Sequence, residues 1–246
     1  VAISFLTRVP VPVRARDVED LAASIHWFPV AGAMIGAVIA AAYSLALIGL
    51  GPLASAAIAI SLGMMLTGAF HEDGLADTFD ALGGGGSADR SMEIMKDSRL
   101  GTFGTAALVS SIVVRVGLVA GFDGQMALVV LPAAHAVSRA AAVGVMGVSS
   151  PAGGGGLGAS YLRHITPTRV WLGVLVGAGV GIALLGPVAG IVVCTVAAMT
   201  SFAVRRWAVG KIGGVTGDVL GAVQQVTEIG ALIVAAWISG ATFPPW

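Results

Sequence analysis

Charge is what this sequence has least of. Only 11% of its 246 residues are Asp, Glu, Lys or Arg, against about a quarter in an ordinary soluble domain. Too little polar surface remains to cover a water-exposed globule. The thirteen basic and thirteen acidic residues cancel, so no excess of one sign points to nucleic acid or to an acidic partner. Cysteine is nearly missing. Cys194 stands alone, which excludes an intramolecular disulfide and a cysteine-based metal site. Aromatic residues are sparse, and Val1 to Arg16 lack the charged, apolar and small-residue order of a cleavable signal peptide.

In their place the chain has apolar length. It is 57% hydrophobic, with a mean hydropathy of +0.94. Gly and Ala dominate, and small residues let membrane helices approach closely. Crossing a bilayer takes about 20 apolar residues. Seven stretches qualify: 27–50, 52–70, 104–122, 125–147, 170–186, 187–204 and 226–243. The fifth and sixth are short and meet at Gly186-Pro187. The expected fold is all-α, a polytopic membrane bundle of about seven transmembrane helices forming one catalytic domain over residues 1–246.

Basic residues orient such a bundle. Arg8, Arg14 and Arg16 precede the first span, and Arg90, Lys96 and Arg99 lie between the second and third. Arg163 and Arg169 follow the fourth, and Arg205, Arg206 and Lys211 follow the sixth. These eleven of the thirteen basic residues share one side, and the opposite connections hold none. The positive-inside rule makes that side cytoplasmic, with the N-terminus in and the C-terminus out. Arg115 and Arg139 fall inside spans, where a cation is costly and faces the bundle interior or a wet cavity.

Chemistry concentrates in the connection 71–103. Asp73, Asp77 and Asp80 recur at helical spacing and form one stripe. Like charges so placed repel, and a divalent cation reverses that sign. Mg²⁺ prefers carboxylate oxygens and commonly holds a substrate phosphate in its remaining positions. The plain alternative is a solvated acidic end to the second span. Gly83 to Gly86 reads as a hinge. Beyond it, Lys96 and Arg99 suit phosphate oxygens and Asp97 suits a metal shell. A charged interfacial helix explains those three residues equally well. A second polar patch runs from Gly213 through Thr216, Gly217 and Asp218 to Gln224, Gln225 and Glu228. Thr216 and Asp218 offer a hydroxyl and a carboxylate for a ligand, with helix–helix hydrogen bonding as the alternative. His135, Ser138 and Arg139 make a similar buried set in the fourth span, and Gly153 to Gly156 reads as a plain loop.

The runs His71-Glu72-Asp73-Gly74-Leu75-Ala76-Asp77-Thr78-Phe79-Asp80 and Glu93-Ile94-Met95-Lys96-Asp97-Ser98-Arg99-Leu100-Gly101-Thr102-Phe103-Gly104 resemble the cobalamin synthase family, adenosylcobinamide-GDP ribazoletransferases. Phe5 to Pro12, His135 to Arg139 and Gly213 to Ala222 look like further blocks of that family, in the same order. The resemblance implies a Mg²⁺-dependent enzyme of the bacterial cytoplasmic (inner) membrane. Its substrates would be GDP-activated adenosylcobinamide and α-ribazole or α-ribazole 5′-phosphate. GMP would leave and cobalamin or its 5′-phosphate would form. Asp73, Asp77, Asp80 and Asp97 would then serve the metal, and Lys96 and Arg99 the pyrophosphate. His71 or Asp218 would take the hydroxyl proton, and Arg139 and Thr216 would face the substrate cavity. Partners compatible with the resemblance are a second copy of the chain and other corrinoid-pathway proteins. Two rivals are a membrane phosphotransferase of the CDP-alcohol type and an Asp-lined cation transporter. The first expects Ala-Arg after Leu75, where Ala76-Asp77 stands. The second expects its acids inside spans.

Overall fold

The computed structural model describes residues 1–12, 18–97, 99–153 and 162–240. Arg14, Arg16, Ser98, Gly154 to Gly156 and the end of the seventh expected span, 241–243, lie outside the described residues.

Apolar runs fold as helices here because a medium without water forces every backbone N–H and C=O to be satisfied within the segment. In chain order the described helices are α1 (Ala2–Leu6), α2 (Val18–Ser24), a 3-10 turn (Ile25–Trp27), α3 (Phe28–Ala46), α4 (Pro52–Thr67), α5 (Phe70–Gly83), α6 (Ala88–Ile94), α7 (Thr102–Ala120), α8 (Gly124–Gly147), α9 (Pro167–Leu185), α10 (Pro187–Ile212) and α11 (Gly217–Ser239). Among the described residues the one β-type pairing is an isolated bridge between Pro151 and Val215. Six segments are long and apolar enough to cross a membrane, and a seventh is counted if α4 and α5 form one bent span. The protein is a polytopic membrane helical bundle.

The hairpin at Gly186-Pro187 is present. Gly186 takes φ 79° and Pro187 opens α10, a position where the missing N–H costs no helical hydrogen bond. Two boundaries differ from the sequence reading. First, α10 runs on to Ile212, so Arg205, Arg206 and Lys211 sit on its last turns rather than in a loop. Second, α11 starts at Gly217 rather than at 226. Thr216 caps it, accepting from the Val219 amide at 3.2 Å. Gln224, Gln225 and Glu228 are buried inside the bundle, where hydrogen-bond partners make up for the polarity that had kept Gln224 and Gln225 out of an apolar window.

Helix α8 packs against α3, α9 and α11. Its contact with α3 runs through Gly32 and Gly36. A Cβ on Gly36 would stand 2.5 Å from the Leu131 carbonyl oxygen, and one on Gly32 would overlap that of His135. Small residues four apart therefore let the two backbones touch.

Between α4 and α5 the chain turns through 89°. Gly68 and Ala69 both adopt left-handed backbone, at φ 69° and 56°. For Ala69 that conformation costs about 1–2 kcal/mol. Local contacts hold it. The Ala69 amide donates to the Met64 carbonyl at 2.7 Å, and the Arg8 amide to that of Leu66 at 2.8 Å. Phe5 stacks on Phe28 and meets Phe70 edge-on. The elbow ends the apolar run and starts the acidic helix in a new direction.

Candidate active site

Helix α5 has two faces. His71, Glu72, Gly74, Leu75 and Thr78 are buried, whereas Asp73 is exposed and Asp77 and Asp80 are half-buried. The stripe expected from spacing is thus real and points away from the core. Gly74 lets the N-terminal end of α11 lie directly on α5. A Cβ there would stand 2.8 Å from the Asp218 carbonyl oxygen, and one on Gly221 would meet Gly74 and His71 at 3.3 Å. This crossing brings Asp218 to the stripe.

The charges record that convergence. Burial first, and then the charges of Asp73, Asp218 and Asp80, together raise the Asp77 carboxyl to about 7. Among the described residues no basic group acts on it. Four carboxylates therefore share one region without a cationic partner, an arrangement that suits a divalent ion. Among the described residues no three His, Cys, Asp or Glu side chains converge into a ready-made metal cage. Mg²⁺ does not require one, since it keeps several waters and takes one or two carboxylates plus substrate phosphate. The donor set fits a water-rich Mg²⁺ site.

Asp80 has a second occupation. Its oxygens accept from the Gly101 amide at 2.7 Å and the Gly104 amide at 2.8 Å, two otherwise orphaned donors at the start of α7. Asp97 is drawn elsewhere. It is forked to Arg99, with Nη2 to Oδ2 at 2.5 Å, and Arg99 holds its carboxyl down to about 2. Asp97 and Arg99, unlike Asp80, are not among the charges acting on Asp77. Lys96 is exposed beside them. The segment still abuts the site, because the Thr216 hydroxyl reaches the Met95 sulfur at 3.7 Å and Asp218 Oδ2 at 3.4 Å.

His71 and Arg139 face inward instead. Both line a closed polar chamber with Glu72, Arg115, His135, Gln225 and Glu228. Arg139 Nη1 donates to Glu228 Oε2 at 2.9 Å and meets His135 Nδ1 at 2.8 Å. Arg115 Nη1 lies 3.0 Å from Glu72 Oε1 and 3.6 Å from Glu228 Oε1. The sequence reading named Arg115 without a partner and gave Glu72 no role. One signal was available: two arginines in apolar spans require two carboxylates at the same depth, and Glu72 and Glu228 are the acids nearest to or inside spans.

Comparison with known proteins agrees with the resemblance seen in the motifs. The family model for cobalamin-5-phosphate synthase matches residues 1–236. A Bradyrhizobium diazoefficiens protein named adenosylcobinamide-GDP ribazoletransferase is 38% identical, covering 96% of this chain and 92% of its own. Proteins of the same name from Leptothrix cholodnii and Rhizobium meliloti are 38% and 40% identical, covering 99% and 94% of this chain and 95% and 92% of theirs. No solved structure matches. A match that takes in the acidic helix, the Asp218 patch and nearly every span settles the assignment, and the chain belongs to the cobalamin-5-phosphate synthase family.

Proposed function

We propose that the protein joins α-ribazole, or its 5′-phosphate, to GDP-activated adenosylcobinamide, as the name of its relatives describes. The observation that carries the reading is the uncompensated cluster of Asp73, Asp77 and Asp218 where α5 crosses α11. A pyrophosphate cannot approach such a cluster without a cation between them.

The ribazole 3′-hydroxyl forms a bond to the corrinoid-side phosphorus. The bond from that phosphorus to the bridging oxygen breaks, and GMP leaves with the electron pair. Asp73 and Asp77 would hold Mg²⁺, which would supply Lewis-acid stabilisation of the negative charge that develops as GMP departs. Asp218 takes the hydroxyl proton, since it lies at the stripe while His71 lines the inner chamber. Lys96 and Arg99, on the segment that touches Thr216, bind the pyrophosphate or the departing GMP. Asp80 keeps the start of α7 against the acidic helix. The faces bearing α5, α6 and the end of α10 are cytoplasmic, in a bacterial inner membrane.

GMP release by the detergent-purified protein, with both substrates and with or without a chelator, tests the reading. Release that stops on chelation and returns with Mg²⁺ supports it. Absence of GMP release with both substrates would defeat the reaction, and chelator-resistant release would defeat the metal.

A further inference from the structure

The inner chamber has no part in the chemistry above, yet it holds the most costly groups in the bundle. Glu72, Arg115, Arg139 and Glu228 are each no more than 5% exposed. They come from four helices: Glu72 from α5, Arg115 from α7, Arg139 from α8 and Glu228 from α11. Glu72 immediately precedes Asp73, so the inner fastening and the outer stripe share one helical turn. Glu72 Oε1 is held twice, by Arg115 Nη1 at 3.0 Å and by Gln225 Nε2 at 3.2 Å. Gln225 is fixed in turn, because its Oε1 accepts from Ser111 of α7 at 3.1 Å. The Glu228 carboxylate within reach of Arg115 also takes the Gln224 amide at 2.6 Å. One carboxylate thus ties α5 to both α7 and α11, one residue away from Asp73.

That placement matters because the candidate cation site is divided between helices. Asp73 and Asp77 ride on α5 and Asp218 on α11. A small turn of α5 about its own axis, within what the Gly74 contact with Asp218 allows, changes the separation of Asp77 from Asp218. Dispersion packing resists such a rotation weakly, since it has little direction. A buried ion pair resists it strongly, because carrying Glu72 away from Arg115 leaves both charges unpaired.

We propose that Arg115 is a positioning residue: by gripping Glu72 it sets the rotation of α5 and hence the spacing of Asp73 and Asp77 relative to Asp218. This rests on the reading of Asp73 and Asp77 as the cation's holders, with the Asp218 carboxylate, the proton acceptor proposed above, near enough to add its negative charge to the site. Outer groups that orient metal ligands change metal affinity about ten- to a hundredfold when altered, and a change of that size is expected here. Arg115→Lys keeps the buried charge on a shorter arm, which lengthens the contact with Glu72. The double variant Glu72→Gln with Arg115→Gln keeps the chamber neutral and loses the ionic grip.

The probe is Mn²⁺ bound by the full-length protein in detergent, read from loss of the free-ion electron paramagnetic resonance signal, with turnover against Mg²⁺ as a second readout. Both variants should bind Mn²⁺ about ten- to a hundredfold more weakly than the unaltered protein. They should need correspondingly more Mg²⁺ for half-maximal turnover, with the KM for α-ribazole unchanged. Wild-type Mn²⁺ affinity in a folded double variant or in Arg115→Lys would overturn the proposal and reduce the chamber to a stabilising element. No Mn²⁺ binding by the unaltered protein would instead remove the cation reading beneath it, a result recognisable without any variant.

Discussion

The carbonyl oxygen of Asp218 occupies the space that a side chain on Gly74 would need, 2.8 Å from where its Cβ would stand. The obstacle is backbone, which cannot swing aside as a side-chain end does. Gly74→Ala must therefore displace the start of α11 from α5, at about 1–3 kcal/mol for an overpacked contact. Turnover per folded molecule should fall at least about tenfold, while α4 and α8 keep their packing. Folded protein is quantified by gel filtration and turnover by GMP release. A Gly74→Ala protein with normal turnover would show that the crossing does not govern the site.

Asp80 supplies a prediction about stability rather than rate. Asp80→Ala strands the Gly101 and Gly104 amides, and an unsatisfied donor costs about 1–3 kcal/mol. Asp80→Asn keeps an acceptor and should lose less. The midpoint of thermal unfolding in detergent, without metal, should rank wild type above Asn above Ala. Equal midpoints with lost activity would mean that Asp80 acts on the cation alone.

Asp77 makes the metal-free protein sensitive to pH. Its carboxyl is raised from an ordinary value of 3.8 to about 7 in the fold. Between those values the folded state holds a proton that the unfolded chain has released. Stability from this group is therefore present below about pH 4 and declines as pH rises toward 7. Asp77→Asn should flatten that part of the profile. Because a cation needs the carboxylate, Mg²⁺ binding near pH 6 should release a proton, and binding near pH 9 should not. A pH-indicator dye in weak buffer measures the difference.

The chamber should tolerate paired changes better than single ones. Glu228→Gln leaves Arg139 and Arg115 short of a carboxylate, and breaking a buried pair costs about 3–5 kcal/mol. Most of the protein should then fail to accumulate folded. Arg139→Gln together with Glu228→Gln should recover much of the yield. Membrane-extracted, monodisperse protein is the measure, and equal yields from the single and paired variants would contradict it.

Topology can be read by labelling in a Cys194→Ser background. Asp89→Cys and Lys211→Cys should react from the cytoplasmic side, and Gly51→Cys from the other. Asp89 and Lys211 labelling from opposite sides would break the assigned orientation.

What the sequence made legible was whatever lies along one stretch of chain. Apolar length marked the spans, and a spacing of helical period marked Asp73, Asp77 and Asp80 as one stripe. What it hid was pairing between helices. Nothing local to Arg115 names Glu72 as its partner, and nothing local to Asp80 announces the amides of Gly101 and Gly104. The early start of α11 was hidden for the same reason, since Gln224 and Gln225 look unfit for a membrane helix until their partners are seen. The elbow was half visible. Gly68 invites a left-handed turn, but Ala69 in that conformation is imposed by its surroundings.

That elbow has a consequence for depth. If α4 stands along the membrane normal, the 89° turn directs α5 across it rather than deeper. Had the helix run straight on, Asp73 and Asp80 would differ in height by about 10 Å, at 1.5 Å per residue. One end would sit in bulk water and the other near hydrocarbon, with very different polarisability around each. Turned sideways, the acids lie on one contour of the water–lipid gradient. An ion arriving from the water then reaches the stripe from the side, with no acid sunk a helical turn deeper than its neighbour.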